Sequence, residues 1–107
     1  MITIDFNSLN PDQDELKETC INYISNIVGI PEKITVKKDD EKDPESSFSV
    51  LFLYKNFTLK EFSFFDELMD FARENELYVT VSDHIKKIRK GFWYDEEDEW
   101  ITQKIEN

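Results

Sequence analysis

Few side chains in this chain are of the types that do covalent or metal chemistry. Its 107 residues include one His, His84, one Cys, Cys20, and two glycines, Gly29 and Gly91. Nucleophilic catalysis needs a nucleophile, a base and a group that orients the base, all converging on one point. His84 beside Asp83 is the nearest approach to a proton-transfer pair, but adjacent residues rarely face each other, and a surface or capping role suits them better. Cys20 falls on the apolar stripe of a helical segment, where a buried and inert thiol is the ordinary outcome. Two isolated glycines leave no material for a Gly-rich phosphate loop.

Carboxylates are abundant, so they face the same test. Asp39, Glu41 and Asp43 occupy positions 1, 3 and 5 of a calcium-loop pattern, yet Pro44 stands where that loop needs Gly and Val50 where it needs Glu. Asp95, Glu96, Glu97, Asp98 and Glu99 form an unbroken run whose carboxylates would point in different directions on a helix, which suits solvated charge rather than a metal site. A two-carboxylate glycosidase would need a sugar cleft that a chain of this length does not readily build. The expectation is a protein with no catalytic residues, no metal and no cofactor.

The 24 Asp and Glu outnumber the 13 Lys and Arg, for a net charge of -11 and a sequence pI near 4.4. Such a polyanion repels nucleic acid and anionic lipid, so neither is expected as a direct ligand. A single Cys forbids an intramolecular disulfide, the start Met-Ile-Thr-Ile-Asp-Phe lacks a basic and apolar leader, and no apolar run approaches a membrane span. The expected compartment is therefore the cytoplasm, that of the host if the chain is phage-encoded. The sequon Asn56-Phe57-Thr58 would then be idle.

The elements that must carry these groups follow from periodicity. Ile2, Ile4 and Phe6 alternate with polar residues as a strand. Asn10, Pro11 and Gln13 supply a cap, a first-turn Pro and a capping-box partner for a helix over 11–28, whose stripe is Leu16, Cys20, Tyr23, Ile24, Ile27 and Val28. Strands follow at 33–38, 48–54 and 57–62, with 39–47 as a flexible acidic loop. Ser63 and Asp66 form a second capping-box pattern, opening a helix over 64–75, and a strand occupies 77–81. The order β-α-β-β-β-α-β resembles a ferredoxin-like split βαβ arrangement with one strand added: a single α+β domain over 1–107 with a mostly antiparallel sheet of four to five strands and two main helices. Residues 84–107 read as a charged and aromatic extension, helical or extended. Ser82 is expected to cap a short helix ended by Gly91, with Ile85 and Ile88 facing the core. Trp100, Ile101, Lys104 and Ile105 favour a terminal helix. The strand 48–54 is apolar on both parities and needs cover on both sheet faces, which that terminal helix would supply.

The charge falls on particular elements. Asp12, Asp14, Glu15 and Glu18 lie off the apolar stripe of the first helix, and Asp66, Asp70 and Glu74 stand four apart on the second, where like charges cost a few tenths of a kcal/mol each. Carboxylates one turn apart are separated by roughly 5 to 6 Å, the order of phosphate spacing on a nucleic-acid strand. Trp93 and Trp100 bracket the run Asp95 to Glu99, the composition of an interface anchor, although both indoles packed in the core is the plain alternative. In size and acidity the chain looks like phage-encoded DNA-mimic inhibitors and like nuclease-toxin immunity proteins, a resemblance of composition that covers no alignable motif. It implies an inhibitor that occupies the basic nucleic-acid-binding surface of a nuclease or of a restriction or CRISPR effector. The alternative is a structural or regulatory interaction domain, such as a homodimer pairing through the Phe48 to Tyr54 face or the Phe92-Trp93-Tyr94 cluster, with acidity serving solubility.

Overall fold

Strict alternation of buried and half-buried residues runs along Ile2–Ser8, Phe48–Tyr54 and Tyr78–Asp83, the period of a sheet with one face against a core. The computed structural model describes residues 1–8, 13–38, 48–56, 58, 62–94 and 99–105. Along them lie β1 (Ile2–Ser8), α1 (Gln13–Ile27), β2 (Lys33–Lys38), β3 (Phe48–Tyr54), α2 (Phe65–Asn75), β4 (Tyr78–Asp83), β5 (Ile88–Trp93) and β6 (Ile101–Lys104). The six strands form one antiparallel sheet in the order β2-β3-β1-β4-β5-β6.

The order follows from the two helices. α1 carries the chain from β1 past one strand position to β2, and β3 returns into the gap; α2 then carries it from β3 over β1 to β4. Each helix therefore crosses the same sheet face and must bury its apolar stripe there. Leu16, Cys20 and Ile24 of α1 and Leu68, Phe71 and Ala72 of α2 join Ile2, Ile4, Phe6, Val50, Phe52, Val79, Val81 and Phe92 in one buried cluster. Phe6 meets Phe52 and Phe71 edge to face at 6.1 and 5.6 Å. Tyr54 reaches the end of α1, its hydroxyl donating to the carbonyl of Gly29 at 2.7 Å, and Gly29 takes a φ of 111° that favours glycine.

Several expectations need correction. Among the described residues the sheet has six strands and the element order is β-α-β-β-α-β-β-β. Of the expected strand at 57–62, Phe57 and residues 59–61 lie outside the described residues, and Phe62 is buried without strand pairing, packed edge to face on Phe64 and Phe65. The capping box at Ser63 does not form. Phe64 is the residue before α2, and no side chain caps that end. The first-helix cap at Asn10 and Pro11 and the loop 39–47 lie outside the described residues.

The largest correction concerns residues after 82. Ser82 caps no helix: it lies in β4, paired with Thr3 and Arg89. The buried Asp83 closes a hairpin turn, its Oδ1 accepting from the main-chain N–H groups of Ile85 and Lys86, both at 3.0 Å. Ile85 is exposed, Ile88 and Gly91 sit inside β5, and Trp100 to Lys104 lead into β6 instead of a terminal helix. An Asp whose carboxylate takes the next two or three N–H groups can start a helix or close a turn; strand pairing on both sides decides for the turn. The chain end therefore widens the sheet rather than covering it. Both helices lie on one face, and Leu51 and Leu53 stay half-buried on the other. These elements make a single α+β domain.

Candidate functional site

The two helices form one outer layer. Tyr23 of α1 lies flat on Phe71 of α2, ring centroids 4.0 Å apart and planes within 10°, and its hydroxyl donates to the main-chain carbonyl of Glu67 at 2.8 Å. Partial burial raises the Tyr23 pKa, and the carboxylates of Glu67, Asp70 and Glu74 raise it further. Those three acids of α2 therefore lie near the Tyr23 phenol. Glu15, Glu18, Asp66, Glu67, Asp70 and Glu74 are all exposed. α2 carries four acids against one base, Arg73, whose guanidinium lies 5.4 Å from the centre of the Phe92 ring.

Lys17 on α1 and Arg73 on α2 are the bases of the helix layer, and most of the others lie elsewhere. Lys33, Lys37 and Lys38 on β2, Lys86 and Lys87 in the β4–β5 turn, Arg89 and Lys90 on β5 and Lys104 on β6 account for eight of the thirteen, and none of these segments contains an acid. Among the described residues the helix layer thus carries mostly acids, while β2, the β4–β5 turn, β5 and β6 carry only bases, a separation that the strand order creates.

The structure brings together part of the expected acidic set. Glu15 and Glu18 share the helix layer with Asp66, Asp70 and Glu74; Asp14 belongs to α1, and Asp12 lies outside the described residues, as do Asp95, Glu96, Glu97 and Asp98. Glu99 is exposed. The two tryptophans do not share a surface. Trp100 is half-buried on the helix side, its indole N–H donating to the carbonyl of Phe65 at 3.3 Å and its ring meeting Phe65 and Phe92 at 5.0 and 5.9 Å. Trp93 lies on the opposite face, folded over Gly91 so closely that a Cβ there would sit 2.8 Å from the indole. Trp100 next to Glu99 sets the end of the acidic run close to the first turn of α2.

The sheet face away from the helices, for which the two-faced strand 48–54 demanded cover, receives none from the described residues. Asp5 stands at its centre, opposite Leu51 on β3 and Thr80 on β4, with Leu53, Tyr78 and Trp93 around it. Burial pushes the Asp5 pKa up, opposed by a hydrogen bond from Asn7 and by the charge of Lys37; one carboxylate oxygen is buried with no hydrogen-bond partner. The strand register places Leu51 opposite this carboxylate and Leu53 diagonal to it.

His84 Nε2 and Thr3 Oγ1 share a 2.8 Å hydrogen bond that ties the β4 end to β1. Cys20 is buried and its thiol is pushed up to about 12 by burial, which suppresses the thiolate. Among the described residues no group of three or more His, Cys, Asp or Glu side chains is placed to hold a metal ion, and no helix is long and apolar enough to cross a membrane. Compared with protein-family models, curated proteins and solved structures, the chain matches none of them.

Proposed function

We propose that the α1–α2 layer is the working surface of an acidic inhibitor, docking in the basic nucleic-acid-binding surface of an enzyme such as a nuclease or a restriction or CRISPR effector. The observation that carries this reading is the sorting of charge. Six exposed carboxylates lie on one helix layer while eight bases are removed to the sheet flanks. Carboxylates a helical turn apart repeat at roughly 5 to 6 Å, and a row of them suits a groove of Lys and Arg built for phosphates. Electrostatic steering would make association fast at low ionic strength and weak at high.

The test is capture of partners from the native host at low salt, followed by competition with duplex DNA. The reading expects a nucleic-acid-binding enzyme that is released by DNA and by salt, is inhibited by the protein, and is not bound by the triple variant Asp66→Lys, Asp70→Lys, Glu74→Lys. Binding indifferent to that variant, or no inhibition of any basic nuclease at low salt, sinks the idea. The homodimer reading retains one support: Phe48, Val50, Phe52, Tyr54 and Phe92 are in the core, but Leu51, Leu53 and Trp93 are half-buried on the sheet side away from the helices. Self-association strengthened by salt would favour it.

A further inference from the structure

β2 is a sheet edge, paired with β3 on one side, with no described strand on the other. Among the described residues nothing pairs with the side of β2 away from β3, so its main-chain N–H and C=O groups there are placed to take an extended segment. Its side chains are not those of a neutral edge. Lys33 and Lys37 are exposed and share the sheet face with Leu53 and Ser49, while Ile34 and Val36 on the other face are 38% and 48% exposed. Ile30, just before the strand, is 90% exposed. Three of the four large hydrophobic residues exposed among the described ones thus cluster at this edge of a protein that is otherwise strongly acidic.

We infer that β2 is a strand-addition site for an extended partner segment that alternates apolar and acidic residues. Added antiparallel to β2, such a segment would place its acids opposite Lys33 and Lys37 on one face and its apolar side chains over Ile34 and Val36 on the other. A second copy of the chain fits poorly. Antiparallel β2–β2 pairing centred on Thr35 would set Lys33 of each copy against Lys37 of the other, so the lysines that select an acidic strand also resist self-pairing. This site is separate from the helix layer, and its test does not depend on that layer.

The experiment uses the isotope-labelled full chain and a short synthetic peptide alternating Val and Glu, with a Val and Lys peptide as control. The expected result is amide shift changes and exchange protection concentrated on Lys33 to Lys38 with the Glu peptide alone. The variant Lys33→Glu, Lys37→Glu should reverse the preference toward the Lys peptide, each affinity changing by roughly tenfold at low salt. The milder Lys33→Gln, Lys37→Gln variant, whose amide spectrum reports its folding, should weaken the Glu peptide without creating affinity for the other. Equal response to both peptides, changes centred outside β2, no binding by either peptide, or concentration-dependent pairing of two chains through β2 would each overturn the proposal.

Discussion

The phenol of Tyr23 on α1 donates to the main-chain carbonyl of Glu67 on α2, so the two acidic helices are joined by a hydrogen bond beside three carboxylates of α2. The folded state holds the Tyr23 proton more tightly than the unfolded chain does, because burial and three carboxylates disfavour a phenolate. Its contribution to stability is therefore present below the ordinary tyrosine value and lost as pH climbs through the raised one. Replacing Asp70 by Asn and Glu74 by Gln should lower the Tyr23 pKa. Tyrosinate absorbance, taken as the difference between matched chains with and without Tyr23→Phe, measures it; an unchanged midpoint would contradict the clustering of charge near the phenol.

Asp83 is the residue on which the hairpin depends. Replacing it with Ala removes the acceptor for two main-chain N–H groups and should cost about 1–2 kcal/mol in denaturant unfolding. Asp83→Asn keeps a side-chain oxygen and should lose less. Faster amide exchange at Ile85 and Lys86 in the Ala variant would locate the loss in the turn.

Asp5 works against the fold at neutral pH, because ionising a half-buried carboxyl with one orphan oxygen is unfavourable. Asp5→Thr, which restores a β-branched residue at the centre of the sheet, should stabilise by about 1 kcal/mol at pH 7, the low end for an unsatisfied group because water still reaches part of it. The sign of the linkage is testable. As pH falls from neutral through the raised pKa toward 3.8 the native carboxyl gains its proton, so the advantage of the variant should shrink.

The two indoles should respond differently. Trp100→Ala strips a half-buried ring from Phe65 and Phe92 and should cost about 2–4 kcal/mol, below the figure for a fully buried Trp. Gly91→Ala, by contrast, meets only the far end of the Trp93 ring and should push it toward water. Its cost should stay under ~1 kcal/mol, because Ala is the better strand residue. A red-shifted emission lost in a Trp93→Phe background would confirm the source.

The local elements were legible because a short stretch encodes its own burial. The period of two in Ile2, Ile4 and Phe6 and the helical stripe from Leu16 to Val28 are set by which side chains must leave water, whatever they pack against. The α+β class, both helices and the strands around 2–8, 33–38 and 48–54 could thus be read directly. Residues 82–93 could not, because an Asp followed by free N–H groups suits a helix start and a hairpin turn equally. The choice rests on β1 lying beside β4, a contact between residues some eighty positions apart.

The acidic composition and the surplus of acids on each helix are properties of the sequence alone. That these acids form one layer, that eight of the bases fall on β2, the β4–β5 turn, β5 and β6, that Trp93 and Trp100 fall on different faces, and that among the described strands β2 ends the sheet were decided by tertiary structure. The physical reason is the same in each case. Periodicity dictates which face of an element is buried, but only long-range strand pairing dictates which elements become neighbours and so which charges add.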